Sequence, residues 1–114
     1  MKLNKIVERL NLEVRSGPDK LDIEVSSGYV SDLMSDVIAH AKEQELWITL
    51  QTHVNIVAVA GMKGLAGVIL VQGREPERDT VEKAGKEGIP ILITKMPAFE
   101  IAGKLYNILN AEKV

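Results

Sequence analysis

The sequence predicts an α/β fold, a mostly parallel sheet with helices packed on it. Three apolar runs carry that prediction: Trp47–Leu50, Gly67–Gln72 and Ile89–Thr94. They are evenly spaced, and their near-continuous apolar character marks strands buried on both faces. Segments with helix start and stop signals separate them. From Trp47 onward the order reads β-α-β-α-β-α, which predicts parallel strands joined by right-handed helical crossovers.

Composition fits one domain spanning residues 1–114, enough to bury a single core. Aromatics make up only 4%, so Ile, Val, Leu and Ala must fill that core. A net charge of −2 argues against a basic groove for nucleic acid. The absence of Cys removes disulfides, thiolate metal sites and a Cys nucleophile together. No apolar stretch approaches the ~18 residues of a membrane span. Charged Glu8 and Arg9 soon follow Met1-Lys2-Leu3-Asn4-Lys5, unlike a signal peptide. A cytoplasmic protein that contacts neither membrane nor nucleic acid is the expectation.

In chain order, Leu3, Ile6, Val7 and Leu10 fall on one helical face, and Asn11 can end that helix. Leu12 and Val14 alternate with polar neighbours before the turn signal Ser16-Gly17-Pro18-Asp19. Leu21, Ile23 and Val25 alternate with polar residues and predict an edge strand or short hairpin, closed by Ser26-Ser27-Gly28. Ser31 is the expected N-cap of a helix whose first turn holds Asp32 and whose apolar stripe is Leu33, Met34, Val37, Ile38 and Ala41.

After the first central strand, Thr52 is positioned to cap a helix over roughly His53 to Met62, with Gly64 ending it. Its β-branched run, Ile56 to Ala60, would also suit a strand, and length favours the helix. Pro76 suits the first turn of a polar helix to about Glu87, with Val81 and Ala84 facing inward and Gly88 ending it. Pro97 opens a last helix carrying Ala98, Ile101, Ala102, Leu105, Ile108 and Leu109 on one face.

Ligands in open parallel sheets bind beyond the carboxyl ends of the strands. That rule selects Gln51-Thr52-His53 with Asn55, then Gln72-Gly73-Arg74, then Thr94-Lys95-Met96. Ser27-Gly28 joins them if the preceding strand runs alongside in the same direction. Free N–H groups at a helix start, with the hydroxyl, imidazole and amide of Thr52, His53 and Asn55, could hold an anion or a carbonyl. The alternative is that Thr52 only caps and Asn55 only satisfies nearby backbone. Gly73 permits close backbone approach, and Arg74 could engage phosphate or carboxylate or simply belong to a solvated charged turn. Thr52, His53, Asn55, Gln72, Gly73 and Arg74 are thus the candidate ligand-binding residues.

No catalytic set is discernible, and no cofactor or metal is implied. His53 lacks a partner at a recognisable spacing. Asp36 and His40 read as an exposed helical pair, and the serines as turns and caps. Gly61-Met62-Lys63-Gly64-Leu65-Ala66-Gly67 superficially suggests a phosphate loop, but it lacks the Gly-Lys-Ser/Thr ending. It also runs from helix to strand, at the wrong end of the sheet.

The segments WITLQTHVNIVAVA, ILVQGREPE and EGIPIL, with GYVSDLMSDV before them, resemble small stand-alone proteins of the DRTGG-domain family. The likeness spans roughly Val25 to Leu109. It implies a fold like the N-terminal domain of HPr kinase/phosphorylase, found also beside CBS modules in regulatory pyrophosphatases and in some phosphotransacetylases. It further implies a regulatory, ligand-sensing or dimer-forming module. The namesake Asp-Arg-Thr-Gly-Gly string is absent. Gln51-Thr52-His53 stands where many relatives carry Gly-Asp-Arg, and Val71-Gln72-Gly73 stands where a Thr-Gly-Gly-like turn is usual. Serine kinase activity is not expected, because neither a phosphate loop nor a metal-holding carboxylate can be located.

The leading expectation is therefore a non-catalytic sensor of a small anionic or nucleotide-like molecule. Its alternative is a homodimerisation or protein-docking module without a ligand. An enzyme using His53 is a third, weaker reading.

Overall fold

The computed structural model describes residues 1–112. Its five-stranded sheet has the order β1-β5-β4-β3-β2, formed by Glu13–Ser16, Ile91–Ile93, Gly67–Leu70, Glu45–Thr49 and Ser27–Val30 respectively. Four strands are parallel, and β1 closes one edge antiparallel to β5. Among the described residues five α-helices accompany them: α1 Leu3–Arg9, α2 Met34–His40, α3 Asn55–Lys63, α4 Arg78–Glu87 and α5 Ala98–Glu112. The predicted mostly parallel α/β architecture is what the chain adopts.

The alternation of side chains along each strand sorts the core into two layers. Leu46, Ile48, Ile69 and Leu92 face α1 and α5, meeting Leu3, Ile6, Ile101 and Leu105. Trp47, Val68, Leu70 and Ile91 face the other way, toward Val37 of α2, Ile56, Val57 and Ala60 of α3, and Ala84 of α4. A buried strand needs a helix on each side, and both are supplied. Strand order then advances one neighbour at a time from β2 to β5, so each βα loop emerges at the same end of the sheet.

The expected edge strand at Leu21, Ile23 and Val25 is corrected. These residues pair with the N-terminus of the chain: Leu3 N–H donates to Ile23 C=O at 2.9 Å, Asn4 N–H to Leu21 C=O at 2.8 Å, and Val25 N–H to Met1 C=O at 3.0 Å. Their alternation reflects packing beside α1, with a single isolated bridge between Lys2 and Glu24. The edge strand is instead Ser27–Val30, so Ser27-Gly28 opens a strand where the sequence predicts the end of one. Low strand propensity there is overridden by pairing with β3.

Helix starts shift for a related reason. α2 begins at Met34 with Leu33 in the cap position, and the Ser31 hydroxyl accepts the Leu33 N–H at 3.2 Å in a local turn. Asp32 therefore lies outside the helix, and Leu33 (64% exposed) and Ile38 (41%) leave the expected apolar stripe. α3 begins after Val54, without a side-chain cap from Thr52, and α4 begins after Glu77, beyond Pro76. The helix stops fare better: Gly64 and Gly88 end α3 and α4 as expected.

Gly17 adopts φ +67°, and a Cβ there would lie 2.8 Å from Pro90 N, against backbone that cannot give way. Gly61 sits in exposed helix, where an added Cβ would meet only open space. Gly17→Ala should cost about 2 kcal/mol or more, whereas Gly61→Ala should stabilise by roughly 0.5–1 kcal/mol, both read by urea unfolding. Equal effects of one sign would contradict the assigned backbone.

Candidate functional site

The polar residues gather at the carboxyl end of the parallel strands. β3 delivers Thr49, which is 1% exposed, into a small network with the β2–α2 loop. One Asp32 oxygen, Oδ1, accepts the Thr49 hydroxyl at 2.8 Å and the Leu50 N–H at 2.7 Å. Gln51 returns the link, its side-chain amide donating to Asp32 C=O at 2.9 Å. Two neighbouring loops are thereby fixed to each other.

The β3–α3 loop is also tied to α4. Thr52 C=O accepts the Glu77 N–H at 3.2 Å and the hydroxyl of fully buried Thr80 at 2.9 Å. Thr52 thus acts through its carbonyl, and its expected capping role is corrected. His53 does the local work instead, its Nδ1 accepting the Asn55 N–H at 3.1 Å. That bond requires the Nδ1 lone pair to be free.

The β4–α4 loop is sewn to the β5–α5 loop on its other side. Gln72 N–H donates to Met96 C=O at 3.0 Å and Gly73 N–H to Thr94 C=O at 2.9 Å. Gln72 and Gly73 hold φ +58° and +69°, the left-handed turn these cross-loop bonds need. Arg74 N–H caps Val71 C=O at 3.1 Å. Because β3 pairs with β4, the Thr52–Asn55 and Gln72–Arg74 loops sit side by side, with His53, Asn55, Gln72, Gly73 and Arg74 exposed and Thr52 half-buried. Ser27-Gly28 does not join them. β2 runs parallel to β3, but these residues pair with Glu45 and Leu46 at the opposite end.

A cleft of about 540 Å³ opens beside these loops, between the end of α1 and the start of α5. Gly73 is the one candidate residue on its wall, together with Thr94, Lys95 and Met96 of the third loop. Glu75 stands at its margin, gripped by Arg15. The guanidinium donates to Glu75 Oε1 and Oε2, both at 2.9 Å, and to Glu13 Oε2 at 2.7 Å. Across the molecule, Asp36 accepts the Tyr29 hydroxyl at 2.9 Å and lies 3.0 Å from His40 Nδ1. Hydrogen bonds from Ser31, Tyr29 and His40 lower the Asp36 carboxyl from its ordinary range.

Sequence reasoning misses Asp32 and Thr80 as site residues. Asp32 reads in sequence as helix-start chemistry, and Thr80 as one polar residue on a polar helix. Only the pairing of β2 with β3, and of α4 with the Thr52 carbonyl, gives them their roles. The glycine-rich Gly61–Gly67 segment joins α3 to β4 at the opposite end of the sheet, as its helix-to-strand direction predicts.

No family model matches this chain, and no curated protein matches it significantly in sequence. Its fold is similar to the crystal structure of the CBS and DRTGG domains of the regulatory region of Clostridium perfringens pyrophosphatase, complexed with its activator, diadenosine tetraphosphate. The TM-score is 0.71 at 18% identity, covering 91% of this chain and 45% of that one. At this identity the likeness is one of fold, and the chain has a DRTGG-like α/β fold. It spans less than half the length of that regulatory region.

Two outcomes follow. Asp32→Ala should cost on the order of 1 kcal/mol in urea unfolding by leaving Thr49, 1% exposed, without its acceptor. No loss of stability would contradict its tying role. The Arg15 contact lowers the Glu75 carboxyl below its ordinary 4.5. A depressed folded value contributes stability above the unfolded value, and that contribution disappears as pH falls through the folded one. The stability difference between wild type and Glu75→Gln should therefore be small at pH 7, as suits an exposed pair, and vanish in acid. A difference that grows in acid would contradict the pairing.

Proposed function

We propose that this chain is a non-catalytic regulatory module of the DRTGG family, a single domain sensing a small anionic or nucleotide-like molecule. Binding falls to the strand-end loops holding Thr52, His53, Asn55, Gln72, Gly73 and Arg74. The observation that carries this reading is the cross-bonded set of loops at the carboxyl end, beyond which such sheets bind ligands. The fold neighbour adds support, being a regulatory region complexed with a nucleotide activator. His53 is engaged with its own loop backbone, which suits a structural part better than that of a general base.

Pairing with a second copy or docking another protein is the second reading. It is favoured by Val30 (52% exposed), Leu33 (64%) and Tyr106 (69%), apolar side chains on or near the edge strand β2. A dimeric sensor would combine both readings. Sedimentation at low protein concentration tests the dimer, and a strictly monomeric species would remove it.

A thermal-shift panel of nucleotides and central metabolites tests the sensing reading. A ligand at a hundred times its Kd adds about 2.7 kcal/mol, which for a domain of this size raises Tm by roughly 10 °C. At least one compound should do so. A panel that leaves Tm unchanged throughout would overturn the sensing reading.

A further inference from the structure

The cleft between α1 and α5 carries a sharper assignment than the loops as a whole. Its volume of about 540 Å³ is in the range of small-molecule sites. Its charges divide into two groups. Glu13 and Glu75 are bound by Arg15, and Glu100 lies 3.5 Å from Lys104. Arg9, from the end of α1, and Lys95, from the β5–α5 loop, also line the cleft and form no ion pair among the described residues. Two positive charges on the cleft lining are left for a ligand.

Thr94 adds a second observation. It is 6% exposed and lines the cleft. Its Oγ1 accepts the Met96 N–H at 3.2 Å, while its own O–H donates to no acceptor among the described residues. A buried hydroxyl with a proton to give suits an anionic oxygen. Leu10 and Met96 supply apolar wall for a flat, uncharged body. The carboxylates retain lone pairs beyond those used by Arg15 and Lys104, and these accept hydroxyl groups well, as acidic residues do with ribose.

We propose that this cleft seats a nucleoside monophosphate, its phosphate held by Arg9, Lys95 and the Thr94 hydroxyl, and its ribose hydroxyls donating to Glu13 or Glu100. A free nucleoside would leave both cations unanswered. A triphosphate would bring more negative charge than two cations offset, against three carboxylates on the wall. The assignment rests on the sensing reading, shares Gly73 with it, and adds Arg9 and Lys95 as contacts for the phosphate.

The test is a titration of the full ¹⁵N-labelled chain with the four common ribonucleoside monophosphates, adenosine and inorganic phosphate, followed by amide shifts. Wild type is compared with Arg9→Gln, Lys95→Gln, Arg74→Gln and the distant control Lys63→Gln, whose spectra also report that each is folded. At least one monophosphate should shift the Gly73, Thr94 and Lys95 amides and bind at least about tenfold tighter than adenosine or phosphate alone. Arg9→Gln and Lys95→Gln should each weaken it about tenfold, and Lys63→Gln, at the far end of α3, should leave it unchanged. Shifts centred on Gln51–Asn55 and lost in Arg74→Gln would overturn the cleft assignment while leaving the sensing reading intact. Phosphate binding as tightly as the monophosphates would overturn it too. Failure of every monophosphate would overturn the assignment alone if the wider metabolite panel still contains a stabilising compound, and both readings if it does not.

Discussion

The double-sided burial of the central strands governs this molecule. Trp47, Ile48, Ile69, Leu70 and Leu92 are at most 1% exposed, so helices must cover both faces of β3, β4 and β5. Parallel strands cannot be joined by tight turns, and each return therefore becomes a helix. α2, α3 and α4 return the chain on one face, while α1 and α5 cover the other. With the direction of the strands fixed, the loops at their carboxyl ends have one place to go. The polar chemistry of the chain is collected there by topology, without any local motif.

Collection alone would give a set of adjacent, independent loops. The hydrogen bonds turn them into one rim. Asp32 joins the β2 and β3 loops, Thr80 and Glu77 join β3 to α4, and the Gln72 and Gly73 amides join β4 to β5. Each contact is modest, about 1 kcal/mol. Together they restrict the loops' conformational freedom relative to one another. Arg15 extends the rim to the antiparallel edge by holding Glu75 against β1.

The central fold was legible because it is written in long-lived patterns. Continuous apolar runs at Trp47–Leu50, Val68–Val71 and Ile89–Thr94 have one good solution, and Gly64 and Gly88 end helices for a local steric reason. The N-terminal part was less legible. Leu21, Ile23 and Val25 alternate as a strand would, yet their backbone partners are Met1, Leu3 and Asn4, a contact made by tertiary packing. Ser31, Asp32 and Thr52 are good cap residues in isolation. In the folded chain, Asp32 and Thr52 bond across to neighbouring elements and Ser31 forms a turn, so each helix starts a residue or more later. The positions of the candidate loops could be inferred from strand direction, but the cleft could not. Arg9 and Lys95 line one cleft because α1 and α5 cover the same face of the sheet, which no spacing in the sequence encodes.

A rim built this way should be rigid in the chain alone, and native-state amide hydrogen exchange measures that directly. The Leu50, Gln72 and Gly73 amides donate to Asp32, Met96 and Thr94. They should be protected well beyond ordinary surface loops and approach the β4 strand amides. Exchange of these three at the rate of an unstructured chain would contradict the account.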